Sequence, residues 1–398
     1  MTETVLVVAK APASGRSKTR LVPPLSSQQA ADLHEALLLD TLDACRAEAA
    51  NTRILHASVD EAPALALLAP NTPLVLQEGH GLADALRLGV ARHVRNGPVA
   101  IVSSDVPGLP PGLIAAAFRA LADGADVVLG PALDGGYWLV AMREPHEAPF
   151  HEIPWSTPAV LAVTRRRCED AGLRLAELPP WRDVDTLVDL AFVSSEIDPL
   201  QAPRTAMILR TLSPLVPAPP DLRLASSELL AGSPWRAVIR DTLEGPERKT
   251  DYSYLAVPRA VFVAAVTVGG ELLLVRQYRH PVRDWTLEVP AGSVVDGETA
   301  LEAAQRELRE ETGGTAGAWT HLTTFFSSSA HLSLRSDAFL ATGVELGVAA
   351  PDENEDVKLV RLPLREAVAR ARAGGFAEGQ TALTILLAAE HLHEPGSP

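Results

Sequence analysis

The chain has 398 residues, more than one hydrophobic core accommodates, so two domains are expected. A hydrophobic share of 47% and a charged share of 21% are those of a globular protein, not of a disordered or fibrous one. A formal net charge of −15 argues against a sequence-independent grip on nucleic acid, and two cysteines are too few for a disulfide framework.

In chain order, Val5 to Ala9 reads as a buried strand. The segment before Lys10 has no basic start and no cleavage site, so it is not a leader. No apolar run approaches a membrane span, and a reducing cytoplasm is expected. The loop KAPASGRSKTRLVPPL follows, with Lys10, Arg16, Lys18 and Arg20 clustered in an otherwise acidic chain. A long helical pattern then runs from Ser26 or Ser27 to about Ala47, with serine as its N-cap. Strand, basic Gly/Ser loop and helix together suggest a phosphate-binding turn. It is not a Walker A loop, because Ser17 precedes Lys18-Thr19.

Val99 to Ser103 is a second apolar strand and runs into Ser104-Asp105-Val106-Pro107. An acid at the carboxyl end of a parallel strand is where open α/β sheets place ligand chemistry. Val127 to Gly130 is another strand, and Asp134-Gly135-Gly136-Tyr137 after it reads as a tight turn that brings backbone or the Tyr137 ring to substrate. Arg182-Asp183-Val184-Asp185-Thr186 supplies two carboxylates at i and i+2. Strands alternating with helices predict a mostly parallel three-layer sheet.

These segments, with SSDVPGLPP, GPALDGGYWL and Ile153-Pro154-Trp155-Ser156-Thr157, resemble the GT-A-fold (Rossmann-like) transferases related to 2-phospholactate guanylyltransferase across residues 1 to 195. The resemblance implies a nucleotide held by the first loop, with Lys18 and Arg20 on its phosphates. It also implies a divalent metal held by Asp105 and by Asp183 or Asp185.

Ala202 to Leu212 looks like a last helix, and the proline-rich run from Ser213 reads as a semi-rigid linker. The expected division is 1–212 for the transferase-like domain, 213–221 for the linker and 222–398 for a second domain. From Asp221 the pattern turns to short β-rich runs: Ala237 to Leu243, Tyr252 to Val257, Ala260 to Val268 and Glu271 to Gln277. Later, Leu322 to Phe326 and Asp337 to Ala341 read as strands, and Arg365 to Ala373 and Thr381 to His391 as helices.

Between them stands GSVVDGETALEAAQRELREETG, from Gly292 to Gly313. Glu302 to Glu311 is rich in good helix formers. Glu307, Glu310 and Glu311 stand at i, i+3 and i+4, so three carboxylates converge on one helix face. Hard oxygen ligands at that density suit Mg²⁺ or Mn²⁺. Arg306 can pair with Glu298 or with a helix carboxylate. The spacing of Gly292, Glu298, Arg306, Glu307, Leu308, Glu310, Glu311 and Gly313 is that of the Nudix box, and the stretch resembles the Nudix hydrolases. An α/β/α domain with a mixed sheet is implied.

The flanks Leu274 to His280 and Leu287 to Gly292 resemble the ADP-ribose pyrophosphatase branch of that family, as do Glu353 to Asp356 and Gly379 to Thr381. In that branch the resemblance assigns a metal contact to the Ala291 carbonyl and a phosphate contact to Arg276 or Arg279. A further metal contact or the general base falls to Glu353 or Glu355. Where the branch has Ser-Pro-Gly, this chain has Ser328-Ser329-Ala330. Implied are a nucleotide or nucleotide-sugar substrate, hydrolysis to a nucleoside monophosphate and a sugar phosphate, and a homodimer. The competing expectations are a hydrolase whose first domain only binds nucleotide, and a non-catalytic nucleotide-sensing regulator.

Overall fold

The computed structural model describes residues 2–49, 51–233, 236–348 and 357–393. The chain folds into two units, Met1–Ser253 and Tyr254–Pro398. Among the described residues no helix is long and apolar enough to cross a membrane.

In the first unit the elements run β1 (Thr4–Val8), α1 (Ser27–Glu48), β2 (Asn51–His56), α2 (Ala62–Leu68), β3 (Leu74–Leu76), α3 (Gly81–His93) and β4 (Val99–Ser103). There follow α4 (Leu113–Ala122), β5 (Val127–Pro131), β6 (Tyr137–Met142), α5 (Val160–Asp170), β7 (Leu175–Glu177), α6 (Leu187–Glu196) and α7 (Pro203–Leu212). The sheet order is β3-β2-β1-β4-β6-β5-β7. β1 pairs with β2 and β4 in parallel, whereas β6 runs antiparallel to β4 and β5. Val5, Leu6 and Val7 are fully buried, as a central strand covered on both faces requires. Side chains of α1, α2 and α4 pack on one face, and those of α3 and α5 on the other. Ser26 caps α1 in a reciprocal capping box with Gln29. Strand order reverses between β1 and β4, so a crevice opens at their carboxyl ends.

After α7 a three-stranded sheet forms from β8 (Arg223–Ser233), β9 (Arg236–Glu244) and β10 (Lys249–Ala256). The two units divide near Ser253, within β10, and not at the proline-rich run 213–221. β8 was not expected from the sequence; its small and polar residues (Ala225, Ser226, Ser227, Gly232) hide the strand pattern.

The second unit holds β11 (Ala260–Thr267), β12 (Glu271–Arg279), β13 (Asp284–Glu288), β14 (Ala291–Ser293), α8 (Ala300–Thr312) and β15 (Gly314–Thr315). Then come β16 (Ala318–Phe326), β17 (Arg335–Leu346), β18 (Lys358–Pro363), α9 (Leu364–Arg372) and α10 (Gly379–His393). Its mixed sheet runs β13-β12-β11-β17-β15, with β14 on β11, β16 on β17 and β18 on β12. β11 and β17 are parallel and the other pairs antiparallel. α8 packs on one face through Ala303, Ala304 and Leu308. α9 and α10 cover the other through Ala367, Ala371, Ile385 and Ala388. The α/β/α expectation is met.

Candidate active sites

In the first unit a cleft of about 510 Å³ lies at the ends of β1 and β4, lined among others by Asp105, Asp134, Tyr137, Trp155 and Asp185. Beside it a hollow of about 310 Å³ is lined by Lys10, Arg16, Lys18, Arg20 and His34. Ser17 Oγ fixes the loop between them: it accepts from the Ala13 N–H at 2.9 Å and lies 3.0 Å from His34 Nδ1. Burial, then the nearby Lys18 charge, lowers the His34 pKa to about 4, so the ring is neutral at pH 7. Lys18 adopts φ 45°, a left-handed conformation that costs energy for a non-glycine residue. Its ammonium donates to Asp185 Oδ1 at 2.9 Å and also to Asp105. Arg20 Nη1 donates to Asp185 Oδ2 at 3.0 Å. Burial alone would lower the Lys18 pKa, but the two carboxylates outweigh it and keep the lysine charged.

Backbone bonds carry the Asp183 segment to this place. The Trp181 N–H donates to Pro131 O and the Val184 N–H to Asp105 O, at 2.9 and 3.1 Å. Thr186 then caps α6 with Asp189. Asp134 sits in the β5–β6 turn, where the Gly136 N–H donates to its Oδ1 at 2.8 Å. Gly135 has φ 91°, and a Cβ there would lie 2.1 Å from Pro158 O, so this turn requires glycine.

One carboxylate oxygen from each of Asp134, Asp183 and Asp185 lies within 4.8 Å of the other two. Asp134 is exposed as a residue, yet its carboxyl faces this cluster. Restricted hydration, then the charges of Asp185, Asp189 and Asp105, push it up to about 6. Burial, then the charges of Asp134, Asp105, Asp185 and Asp189, hold Asp183 well above the usual carboxylate range. Asp183 Oδ1 is buried with no hydrogen-bond partner. An all-oxygen donor set with an orphaned buried oxygen and surplus negative charge fits a hard divalent cation. Asp183 and Asp185 come together, but with Asp134 and not with Asp105, which Lys18 holds. Asp134 as an acid was missed because the sequence shows it inside a glycine turn. Tyr137 lines the cleft edge-on to Trp155, with ring centroids 6.2 Å apart.

In the second unit Thr299 caps α8 with Glu302, and Gly313 ends it at φ 70°. Arg306 organises the helix face. It donates to both oxygens of Glu298 at 2.8 and 3.0 Å, to Glu307 at 2.7 Å, to Glu310 at 3.0 Å and to Ser293 O at 2.8 Å. Glu311 is buried and accepts from the Ala291 N–H at 3.1 Å. Glu307 stands over Gly292: a Cβ at that position would lie 1.9 Å from its Oε1. The backbone of β14 thus forms a cradle for the glutamates that any side chain at 292 would fill.

Arg279 makes a two-point contact with buried Glu288, at 3.0 and 2.5 Å. Burial would raise the Glu288 pKa, but Arg279 and Thr286 hold it below the usual range. Glu378, unforeseen from the sequence, is raised by burial and by the Glu288 charge, and it accepts from Thr381 Oγ1 at 2.6 Å. Arg276 is exposed, with its guanidinium 5.2 Å from the Trp285 ring centroid. Glu353 and Glu355 lie outside the described residues.

Comparisons with known proteins find relatives for both units. The family model described as "Uncharacterized protein conserved in bacteria (DUF2064)" matches residues 41–157, and the NUDIX domain model matches residues 257–380. The chain is 36% identical to the ADP-ribose pyrophosphatase of Bacillus subtilis over 132 residues, 32% of this chain and 70% of that protein. It is 30% identical to the 2-phospho-L-lactate guanylyltransferase of Haloferax volcanii over 187 residues, 46% of this chain and 82% of that protein. It is also similar to a crystal structure from Desulfovibrio desulfuricans described as a nucleotide-diphospho-sugar transferase. There the TM-score is 0.51 at 26% identity, covering 54% of this chain and 97% of the other. The chain therefore belongs to the Nudix hydrolases through its second unit, joined to a first unit of the DUF2064 group that is homologous to 2-phospholactate guanylyltransferase.

Proposed function

We propose that the second unit is a Mg²⁺-dependent pyrophosphohydrolase acting on ADP-ribose or another nucleotide sugar. The observation that carries this is the Gly292–Glu307 approach, with Glu311 held on the neighbouring Ala291 N–H. Glu307, Glu310, Glu311 and the Ala291 carbonyl would hold the ion, and Arg306 spaces the carboxylates. The ion, when bound, polarises the diphosphate and lowers the pKa of a bound water. Arg276 or Arg279 orients the phosphates, Arg279 from its fixed seat on Glu288. Glu353 or Glu355 accepts the proton of the attacking water as the phosphorus–oxygen bond breaks. For ADP-ribose the products are AMP and ribose 5-phosphate.

The first unit, on the same proposal, binds a nucleotide with a divalent ion and transfers a nucleotidyl or glycosyl group. Lys18 and Arg20 contact its phosphates, and Asp134, Asp183 and Asp185 hold the ion, with Asp105 beside them. Tyr137, which lines the cleft, contacts substrate. The functional domains are proposed as 1–212 and 222–398.

Mass spectrometry of products from a panel of nucleotide sugars and ADP-ribose with Mg²⁺ tests the hydrolase. A nucleoside monophosphate with a sugar phosphate, lost in Glu307→Gln, supports it. No cleavage of any member would favour a regulator that only binds nucleotide. For the first unit, Asp183→Asn that leaves Mn²⁺ binding with nucleotide unchanged would remove the metal assignment.

A further inference from the structure

Asp337 is fully buried in β17, beside the apolar Val261 and Phe339 on the same face of the sheet. Its register partner on β11 is Val261, and the partner of Val261 on the other side is Gly292. Register partners share a face, so Asp337 faces α8, two strand spacings or ~10 Å from the glycine under Glu307. Burying a carboxylate is costly unless several donors meet it. Three do. Arg259 Nε donates to Oδ2, while Thr324 Oγ1 donates to Oδ1 at 2.7 Å and His321 Nε2 lies 3.1 Å from Oδ1.

The sheet is distorted to make this possible. β16 pairs His321 with Phe339 and Thr323 with Ala338, leaving Leu322 as an extra residue. That bulge puts His321 and Thr324 on one face, both against Asp337. β-bulges near active sites re-aim side chains in this way. The His321 ring also lies edge-on to Phe339, with centroids 5.2 Å apart, which fixes its plane. Both outward groups reach solvent, with side chains 48% exposed for His321 and 31% for Arg259. Nε2 of His321 faces Asp337, which leaves Nδ1 for a ligand. The segment Ser328-Ser329-Ala330, where this chain departs from the ADP-ribose pyrophosphatase pattern, lies in the loop joining these same two strands.

We propose that Arg259 and His321, oriented by Asp337, form the subsite for the sugar-phosphate half of the substrate. Arg259 donates to phosphate oxygens, and His321 Nδ1 accepts from a sugar hydroxyl. This assignment deepens the hydrolase reading and rests on it for the substrate class.

The test is calorimetric binding of two probes, ribose 5-phosphate and AMP, to the full chain with Mg²⁺. Arg259→Met and His321→Gln should each weaken ribose 5-phosphate by about tenfold or more and leave AMP within about twofold. Asp337→Asn should weaken ribose 5-phosphate alone, as a positioning residue. Unchanged binding of both probes in the variants, or no binding of ribose 5-phosphate by the natural chain, overturns the proposal. Equal weakening of both probes also overturns it, because that reports a structural role. Selective loss of ribose 5-phosphate in a chain that does not cleave ADP-ribose would keep the subsite and remove the hydrolase reading.

Discussion

Lys18 Nζ lies 2.9 Å from Asp185 Oδ1 and also reaches Asp105, so one buried ammonium spans two of the acids that crowd the first cleft. It stands where a bound metal would draw on the same charge. In Lys18→Met, Asp105 and Asp185 both lose this partner, and the acid cluster becomes more attractive to a cation. Mn²⁺ alone, followed by electron paramagnetic resonance, should then bind about tenfold tighter, a fraction of the ~4 kcal/mol that a unit charge exerts at 4 Å near a protein surface. Weaker Mn²⁺ binding in this variant would show that Lys18 supports the site instead of competing with it.

His34 is buried neutral on Ser17, with its pKa lowered to about 4 from the usual 6.5. A histidine with a depressed folded pKa gives stability that is present above the unfolded value and lost as pH falls toward the folded one. The first unit should therefore lose up to ~3 kcal/mol between about pH 6.5 and 4 from this group. Thermal melts across that range should show His34→Gln with a flatter acid limb than the natural chain. A limb of equal slope would assign the acid loss to other groups.

Gly292→Ala should fold but lose turnover. The new Cβ would enter the space of the Glu307 carboxylate, 1.9 Å from its oxygen, and move a ligand without removing it. Displacement on that scale costs ~10²-fold in kcat. Steady-state kinetics with circular dichroism would check both halves, and an unchanged kcat would show that Glu307 is not needed where it stands.

Arg306→Lys keeps the charge but not the fork that bonds Glu298, Glu307, Glu310 and Ser293 O together. A loss of about 1–3 kcal/mol in denaturant unfolding is expected, as for other broken charged hydrogen bonds. Stability equal to the natural chain would mean that lysine rebuilds the network.

The box in the second unit was legible because its ligands lie on one helix, where spacing alone decides which side chains meet. Arg306 was readable for the same reason, and Glu298, just before the α8 cap, from its place in the box. The acid cluster of the first unit was only half legible. Asp183 and Asp185 announce themselves in one short segment, but Asp134 reaches them through a glycine turn fixed by Leu161 and Pro158, far along the chain. Asp337 left no sequence signal at all, since its partners depend on a bulge in β16 that no periodicity records. β8 was hidden for a simpler reason, its lack of apolar alternation. Glu353 and Glu355 lie outside the described residues, so the base they are proposed to supply rests on resemblance.

The most direct test of the account is ³¹P magnetic resonance of ADP-ribose with Mg²⁺, the full chain and its Glu311→Gln variant. Glu311 is buried against the Ala291 N–H, so the variant changes one charge and little shape. The account predicts AMP and ribose 5-phosphate from the natural chain, and a loss of at least ~10²-fold in the variant. Equal turnover by both proteins would contradict it, because the reaction would then proceed without the carboxylate on which the site is built.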